Sequence, residues 1–411
     1  MALDEEATEL RRSIGLIGLV LYGLGVTIGA GIYVLVGETI VRAGPYAPAA
    51  FLLSAFVMGF TAASFAELSG RVPQAAGEAV YVEKSFGISW LTVIIGLAVL
   101  VEAMIAAAAI AVGSAGYVGE LIALPKEVLI VAIISLMATI AAWGIRESVA
   151  IAGAMTLVEV AGLLIIIGLG LASDPGSIAD LPASLAPPIG DLSAISGVLA
   201  ASMIAFFAFI GFDDVVNLVE EAKNPRRIMP WAIGITLTVV TVLYVLVAFV
   251  AMQNVSVDEM SATSAPISLL FERLTGLPSL AITLIAIIAT MNGVVIILIM
   301  AARVCYGMAR EKRLPAWLGV VSSRSQTPVR ATVIIAGLVL VLALFTPLDT
   351  LAETSSEVLL TIFAIINLAL AWFKIRGVPA PEGIFTVHIV IPIAGTFFCT
   401  ALVLGAAFAG G

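Results

Sequence analysis

The chain has 411 residues, of which 61% are hydrophobic and 11% charged, with a mean hydropathy of +1.17. A soluble globular domain carries about a quarter charged residues and fewer than half apolar ones, so that class is excluded and a polytopic membrane protein remains. The net charge of −9 argues against a nucleic-acid partner, and two cysteines with a single histidine, His388, furnish neither a disulfide framework nor a metal site.

The N-terminal MALDEEATELRR is polar, acidic and then basic, without the apolar core of a cleavable signal, so residues 1–12 are expected to form a cytoplasmic tail. A helix needs about 20 mostly apolar residues to cross the hydrocarbon layer. Stretches free of Asp, Glu, Lys and Arg fall at 13–37, 43–66, 128–145, 192–212, 228–257, 274–302, 331–348, 358–373 and 383–411. Two more runs, 85–119 and 148–173, are each interrupted by one carboxylate, Glu102 and Glu159. Eleven transmembrane helices are therefore expected, the tenth beginning near Leu351.

Orientation follows from basic residues in the connections. With the N-terminus inside, sixteen of the nineteen Lys and Arg fall on the inner side, and only Arg42, Lys126 and Arg273 fall outside. The connection 174–191 holds Asp174, Asp180 and Asp191 but no base, as an outer loop should. Eleven spans place the C-terminus outside.

Two of the apolar runs carry unusual interruptions. The first reads GLGVTIGAGIY, with Gly23, Gly25, Gly29 and Gly31 around Thr27, although glycine costs about 1 kcal/mol against alanine inside a helix. The sixth reads AFFAFIGFDD, with Gly211 just before Asp213 and Asp214. Five helices separate the two, so corresponding members of two five-helix halves would each be discontinuous, the pattern of inverted-repeat transporters. Unwinding frees backbone N–H and C=O groups that hydrocarbon penalises by several kcal/mol each. A half-helix N-terminus suits a carboxylate and freed carbonyls suit an ammonium group, so an amino-acid head group fits both ends. Close helix packing explains such glycines equally well one at a time, and Gly25 with Gly29 does form GxxxG; their paired location in both halves favours a site.

These residues carry a resemblance. TIGAGIYV at 27–34, FAELSGRVPQAAGEAVYVEKSFG at 65–87, FFAFIGFDDVVNLVEEAKNPRRIMPWAI at 206–233, and Asn292 followed by ARVCYGMAREKRLP at 302–315 resemble, in order, motifs of the amino acid–polyamine–organocation superfamily of permeases. The third shows the EExxNPxxxxP tail as Glu220, Glu221, Asn224, Pro225 and Pro230. The resemblance spans about residues 10–400, and its look is closest to the cationic amino acid transporter branch. It implies an all-α polytopic membrane protein with a LeuT-type 5+5 inverted-repeat fold and discontinuous helices 1 and 6. On that plan, 13–173 is the first repeat, 174–191 an outer loop, 192–373 the second repeat and 374–411 an additional eleventh helix. Many members have twelve spans, so any dimer contact made by a twelfth is in question, and monomer and homodimer both stay open.

By the same analogy, backbone at Thr27, Ile28, Gly29, Ala30 and Gly31 receives the substrate carboxylate. Backbone near Phe206, Phe207, Phe209 and Ile210 receives its amine, and Phe207 closes over the ligand from outside. Many relatives have a lysine in the fifth helix at the point where this chain has Glu159, in TLVEVAGLL, and that ammonium is thought to replace a sodium ion. A carboxyl at membrane depth is functional by default, so Glu159 is expected to carry the coupling proton or to ligate a cation; the plainer role is a structural hydrogen bond. Glu102, in the third helix, either attracts a basic side chain or proton or ties helices together. Asp213 matches an acid linked to gating on the inner side.

Thr290 offers one hydroxyl for a Na+ site, which wants several hard oxygen donors, so helix packing suits it better. His388 and the five tryptophans lie near predicted span ends, as interfacial residues do. No GxxxxGK[ST] motif and no nucleophile–histidine pair occur, which disfavours an ATP-driven pump and a hydrolase. The expectation is a non-enzymatic, cofactor-free amino acid permease of the plasma or bacterial cell membrane, driven by protons. An amino acid or polyamine exchanger and a non-transporting receptor are the alternatives.

Overall fold

The computed structural model describes residues 14–73, 77–143, 149–219, 221–310, 312–322, 325 and 327–409. In chain order its helices are α1 (Leu16–Ala30), α2 (Ile32–Ala43), α3 (Ala47–Arg71), α4 (Gly77–Phe86), α5 (Ser89–Gly119), α6 (Lys126–Trp143), α7 (Val149–Ser173) and the single turn α8 (Leu181–Ser184). There follow α9 (Leu192–Phe207), α10 (Pro225–Asn254), α11 (Val257–Ala262), α12 (Pro266–Thr275), α13 (Leu280–Arg310), α14 (Val329–Phe345), α15 (Leu348–Ile375) and α16 (Val390–Ala409). The tenth apolar run thus enters its helix at Leu348, not near Leu351: Pro347, which has no N–H to lose, sits just ahead of it as the cap. The connection 174–191 is not bare loop, since it carries a 3-10 turn at Ser177–Asp180 and then α8.

Among the described residues, seven stretches are long and apolar enough to cross a membrane, and four shorter apolar helices accompany them. Large apolar side chains lie open on the outside of the bundle, among them Phe56, Leu164, Val333, Phe345 and Phe397. Water would penalise that surface, whereas lipid is its natural solvent. The protein is a multi-pass membrane protein.

The helix ends follow local chemistry. Asp191 caps α9 by accepting from the Ala194 N–H at 2.9 Å. Ser256 and Glu259 form a reciprocal capping box on α11. Asn224 adopts left-handed backbone, φ 51° and ψ 57°, immediately before Pro225 opens α10. Asparagine tolerates that conformation better than most residues, and proline suits the first helical turn.

Packing brings α3 against α10 and α5 against α13, while α1 lies between α7, α10 and α13. Two apolar clusters make up the interior. One gathers α1, α3, α9 and α10; the other gathers α5, α6, α13 and α14. The buried carboxylate of Glu67 on α3 accepts from Arg71 Nε at 2.8 Å, Lys374 Nζ at 2.8 Å and the Val387 N–H at 2.7 Å. Removing one partner of such a buried pair costs about 3–5 kcal/mol, so this clamp fixes the end of α15 and the segment leading to α16. His388 is exposed there and its Nδ1 accepts from the Val390 N–H at 3.3 Å, at the start of α16. Cys305 and Cys399 are free, buried thiols.

Four tryptophans, Trp90, Trp143, Trp231 and Trp317, are exposed at or near helix ends, where an interfacial belt would hold them. Trp372 differs: it is half-buried, with the Arg376 guanidinium 4.8 Å from its ring centre.

Candidate functional site

The first interruption falls between α1 and α2 at Gly31. A Cβ on Gly31 would stand 2.2 Å from the Ala208 Cα, in the second interruption, so only glycine lets the two backbones meet. The other glycines of the first run make close approaches as well. A Cβ on Gly25 would stand 2.2 Å from Thr156 Oγ1 on α7, and one on Gly23 would stand 2.7 Å from Val215 Cγ2. Close packing and helix interruption, weighed against each other in the sequence, are both present at different glycines.

The second interruption begins after Phe207. Residues 208–212 form turns, and a 3-10 segment, Asp213–Leu218, follows. Gly211 sits at φ +111°, a conformation that side chains resist, and a Cβ there would meet Val26 Cγ1 at 2.6 Å. Asp213 Oδ1 accepts from the Gly211 N–H at 3.1 Å, and the N–H groups of Ala208, Phe209 and Ile210 donate to the carbonyls of Ala205, Phe206 and Phe207. This segment therefore satisfies much of its own backbone.

Tyr244 on α10 spans both interruptions. Its buried hydroxyl lies 2.8 Å from the Thr27 carbonyl and 2.9 Å from the Ala208 carbonyl. A phenol has one proton, so it serves one carbonyl at a time and leaves the other available to a further donor. Its ring packs on Phe209 and Phe51, with centroids 5.2 and 5.7 Å away. Sequence reasoning missed Tyr244; the available signal was a lone polar group inside the aliphatic run VLYVLV.

The remaining candidates of the two breaks are placed as follows. Thr27 turns its own hydroxyl back to the Gly23 carbonyl at 2.8 Å. Ile28 is fully buried, and Ala30, whose side chain lies outside the described residues, ends α1. Because α2 starts afresh at Ile32, its first N–H groups have no intrahelical acceptor and carry partial positive charge. Phe206 and Phe209 are buried, Phe206 edge-on to Phe363. Phe207 joins the apolar cluster that contains Val34 and Leu35 of α2, and Ile210 packs on both clusters.

Glu159 on α7 is fully buried, and neither carboxyl oxygen has a hydrogen-bond partner. It faces the first interruption: a Cβ on Gly29 would stand 3.5 and 3.7 Å from its two oxygens and 3.1 Å from the Ala289 carbonyl of α13. A buried carboxyl without donors is costly to leave unpaired. Thr290, next to Ala289, spends its hydroxyl on the Ala286 and Ile287 carbonyls at 2.8 and 3.2 Å. Among the described residues no group of three or more His, Cys, Asp or Glu side chains is placed to hold a metal ion.

Glu102 on α5 accepts from the Ser355 hydroxyl of α15 at 2.8 Å, a contact that ties the two helices. Asp213 shares a hydrogen bond with Glu78 on α4, outside the spans. Desolvation, and then the charge of Asp213, push the Glu78 carboxyl up to about 8. Of the motif residues, Glu220 lies outside the described residues. The Glu221 carbonyl accepts from the Ile14 N–H at 3.0 Å, and the Lys223 N–H donates to the Ile14 carbonyl at 2.8 Å, pinning the entry of α1 to the segment before α10.

Comparison with known proteins gives a consistent result. The sequence profile described as amino acid permease matches residues 14–410. "Cationic amino acid transporter 4, vacuolar" of Arabidopsis thaliana is 32% identical over 403 residues, which cover 92% of this chain and 65% of the relative. "Branched-chain amino acid permease BcaP" of Bacillus subtilis is 28% identical over 424 residues, 96% of this chain and 88% of the relative. "Cationic amino acid transporter 2, vacuolar" of Arabidopsis thaliana is 31% identical over 405 residues, 91% and 61%. The chain thus spans less than two thirds of the length of these plant relatives.

Proposed function

The chain belongs to the amino acid permease family, a family of transporters and not of enzymes, and from that premise we propose that it moves L-amino acids across the membrane by alternating access, driven by protons. One observation carries the reading: two interrupted helices cross at Gly31 and Ala208, directly beside a buried Glu159 carboxyl that has no partner. The crossing offers helix N–H groups to a carboxylate and unwound carbonyls to an ammonium group. Thr27–Gly31 take the first role and Phe206–Ile210 the second, with Phe207 as the outer cover. Glu159 binds the coupling proton beside Gly29, so that occupancy of the site and protonation of Glu159 bias one another. Asp213 gates the inner side.

The proposal extends to architecture. Residues 13–173 and 192–373 form two inverted five-helix repeats, 174–191 the outer loop between them and 374–411 an eleventh span, with the N-terminus inside. The packing supports it, because α3 pairs with α10 and α5 with α13, partners that occupy equivalent places in the two halves. The membrane is the cell membrane, with the lipid bilayer around the bundle. Plant relatives bear the word vacuolar in their names, and the relatives' names point to cationic and to branched-chain amino acids. Glu102 accepts from Ser355 at one oxygen and keeps acceptor capacity at the other, so both substrate classes stay within reach.

Purified protein in liposomes tests the reading. Uptake of a labelled amino-acid mixture is measured with and without an inward proton gradient, and with unlabelled amino acid preloaded. Uptake that follows the gradient supports the proposal. Uptake seen only against internal amino acid makes the protein an exchanger, and saturable binding without flux makes it a receptor.

A further inference from the structure

Glu159 has no partner at its carboxyl group, yet the helical turn that carries it is held from outside α7. The hydroxyl of Tyr33, on α2, donates to the backbone carbonyl of Glu159 at 2.8 Å. Tyr33 is in turn held by Tyr117 on α5, whose hydroxyl donates to the Tyr33 carbonyl. The same Tyr117 oxygen accepts from the N–H of Ile267, at the start of α12, at 3.4 Å. All three residues are fully buried. A single line of hydrogen bonds thus runs from α12, through α5 and α2, to the turn of α7 that presents Glu159 to the first interruption.

Two glycines show that this line is built in. A Cβ on Gly162 would stand 2.9 Å from the Tyr33 hydroxyl, so its missing side chain is the slot through which Tyr33 reaches the α7 backbone. At the other end, a Cβ on Gly116, beside Tyr117, would stand 2.3 Å from the Ser264 carbonyl, which admits the segment leading into α12 against α5. Each contact alone is ordinary packing. Together they join four elements that the orientation of the chain places on its outer half. Tyr244 on α10 is a further titratable group close enough to feel Glu159.

We propose that Tyr33 is a positioning residue for Glu159, and that Tyr117 links it to α12 so that closure of the outer segment sets the Glu159 turn against Gly29. The proposal rests on the reading of Glu159 as the proton carrier. A hydroxyl aimed at the backbone, not at the carboxyl, holds the group in place without competing for its proton. When α12 moves away, Tyr117 loses the Ile267 N–H, Tyr33 is freed, and the Glu159 turn relaxes from the break. Access from outside and the position of the proton site are then one event.

The test uses the full chain in liposomes and two readouts: uptake driven by a proton gradient across a series of external pH values, and gradient-free counterflow with amino acid on both sides. Tyr33→Phe and Tyr117→Phe keep the rings and remove the hydroxyls. Both should lower gradient-driven uptake by roughly twofold to thirtyfold, the span seen for substitutions along a coupling network, and shift the pH profile while counterflow stays near its original rate. Gly162→Ala should reproduce Tyr33→Phe, and combining the two should add little, because removing the hydroxyl empties the space the methyl needs. A merely structural role would depress counterflow and gradient-driven uptake together, and that result overturns the proposal. So does an unchanged pH profile in Tyr33→Phe when Glu159→Gln abolishes gradient dependence. Retained gradient dependence in Glu159→Gln itself removes the proton-carrier reading, and this inference with it.

Discussion

The first interruption occupies one residue, Gly31, and helix resumes at once on the far side; the second runs from Ala208 to Phe212 and continues as a 3-10 turn to Leu218. The longer one is nearly self-sufficient, with Asp213 bound back to the Gly211 N–H and successive turn hydrogen bonds within 205–214. The shorter one has local hydrogen bonds from the Thr27 hydroxyl to the Gly23 carbonyl and from the Leu35 N–H to the Gly31 carbonyl, at 2.8 and 2.9 Å, and leans more on other helices. Its glycines lie against Ala208, Thr156 and Glu159, and its Thr27 carbonyl is met by Tyr244 from α10. A break held by its neighbours responds to what they do, whereas a break that satisfies itself acts as a fixed abutment. Glu159, the proposed proton carrier, lies beside the responsive one.

That contrast can be broken at several places. Gly31→Val should have the largest effect, since even a Cβ would collide with the Ala208 backbone at 2.2 Å; overpacking costs about 1–3 kcal/mol or more, and folded protein recovered by size-exclusion chromatography should nearly vanish. Gly211→Ala strains a backbone at φ +111°, but the Val26 side chain can yield, so a loss of about 2 kcal/mol is expected. It should lower the melting temperature and leave counterflow measurable. Tyr244→Phe removes one hydroxyl from two carbonyls and should cost about 1 kcal/mol of stability. Its transport defect should be out of proportion to that loss, because both interruptions lose their common partner; a defect no larger than that of Gly211→Ala would erase the distinction between the breaks.

A further effect is expected from pH at Glu78, half-buried beneath the second interruption. Its carboxyl is held up to about 8, so the fold binds that proton more tightly than the unfolded chain does. Its contribution to stability is fully present below the ordinary carboxylate range and is lost as pH rises through about 8. Melting temperature should therefore fall over that interval, and Glu78→Gln should flatten the fall.

Much of the plan was legible in one dimension. Apolar runs announce helices, and Gly211 before Asp213 announced a helix end, because lost side chains and buried charge are local events. Helix bounds were less legible: Pro347 moves the start of α15 three residues ahead of Leu351. Least legible were partners far apart in the chain. Tyr244 stands 217 positions from Thr27, and Lys374 stands 307 from Glu67. No periodicity records such pairings. Thr290 shows the reverse case: a hydroxyl at a plausible depth for a cation is consumed by its own helix, an outcome that rotamer and backbone, not residue type, decide.

The central claim, that Glu159 carries the proton that drives transport, is tested most directly by following internal pH with a trapped dye while amino acid is added outside proteoliposomes. The expected result is acidification of the interior with the original protein and none with Glu159→Gln, whose counterflow persists. Equal acidification in both proteins, or uptake by the original protein without any acidification, would contradict the account.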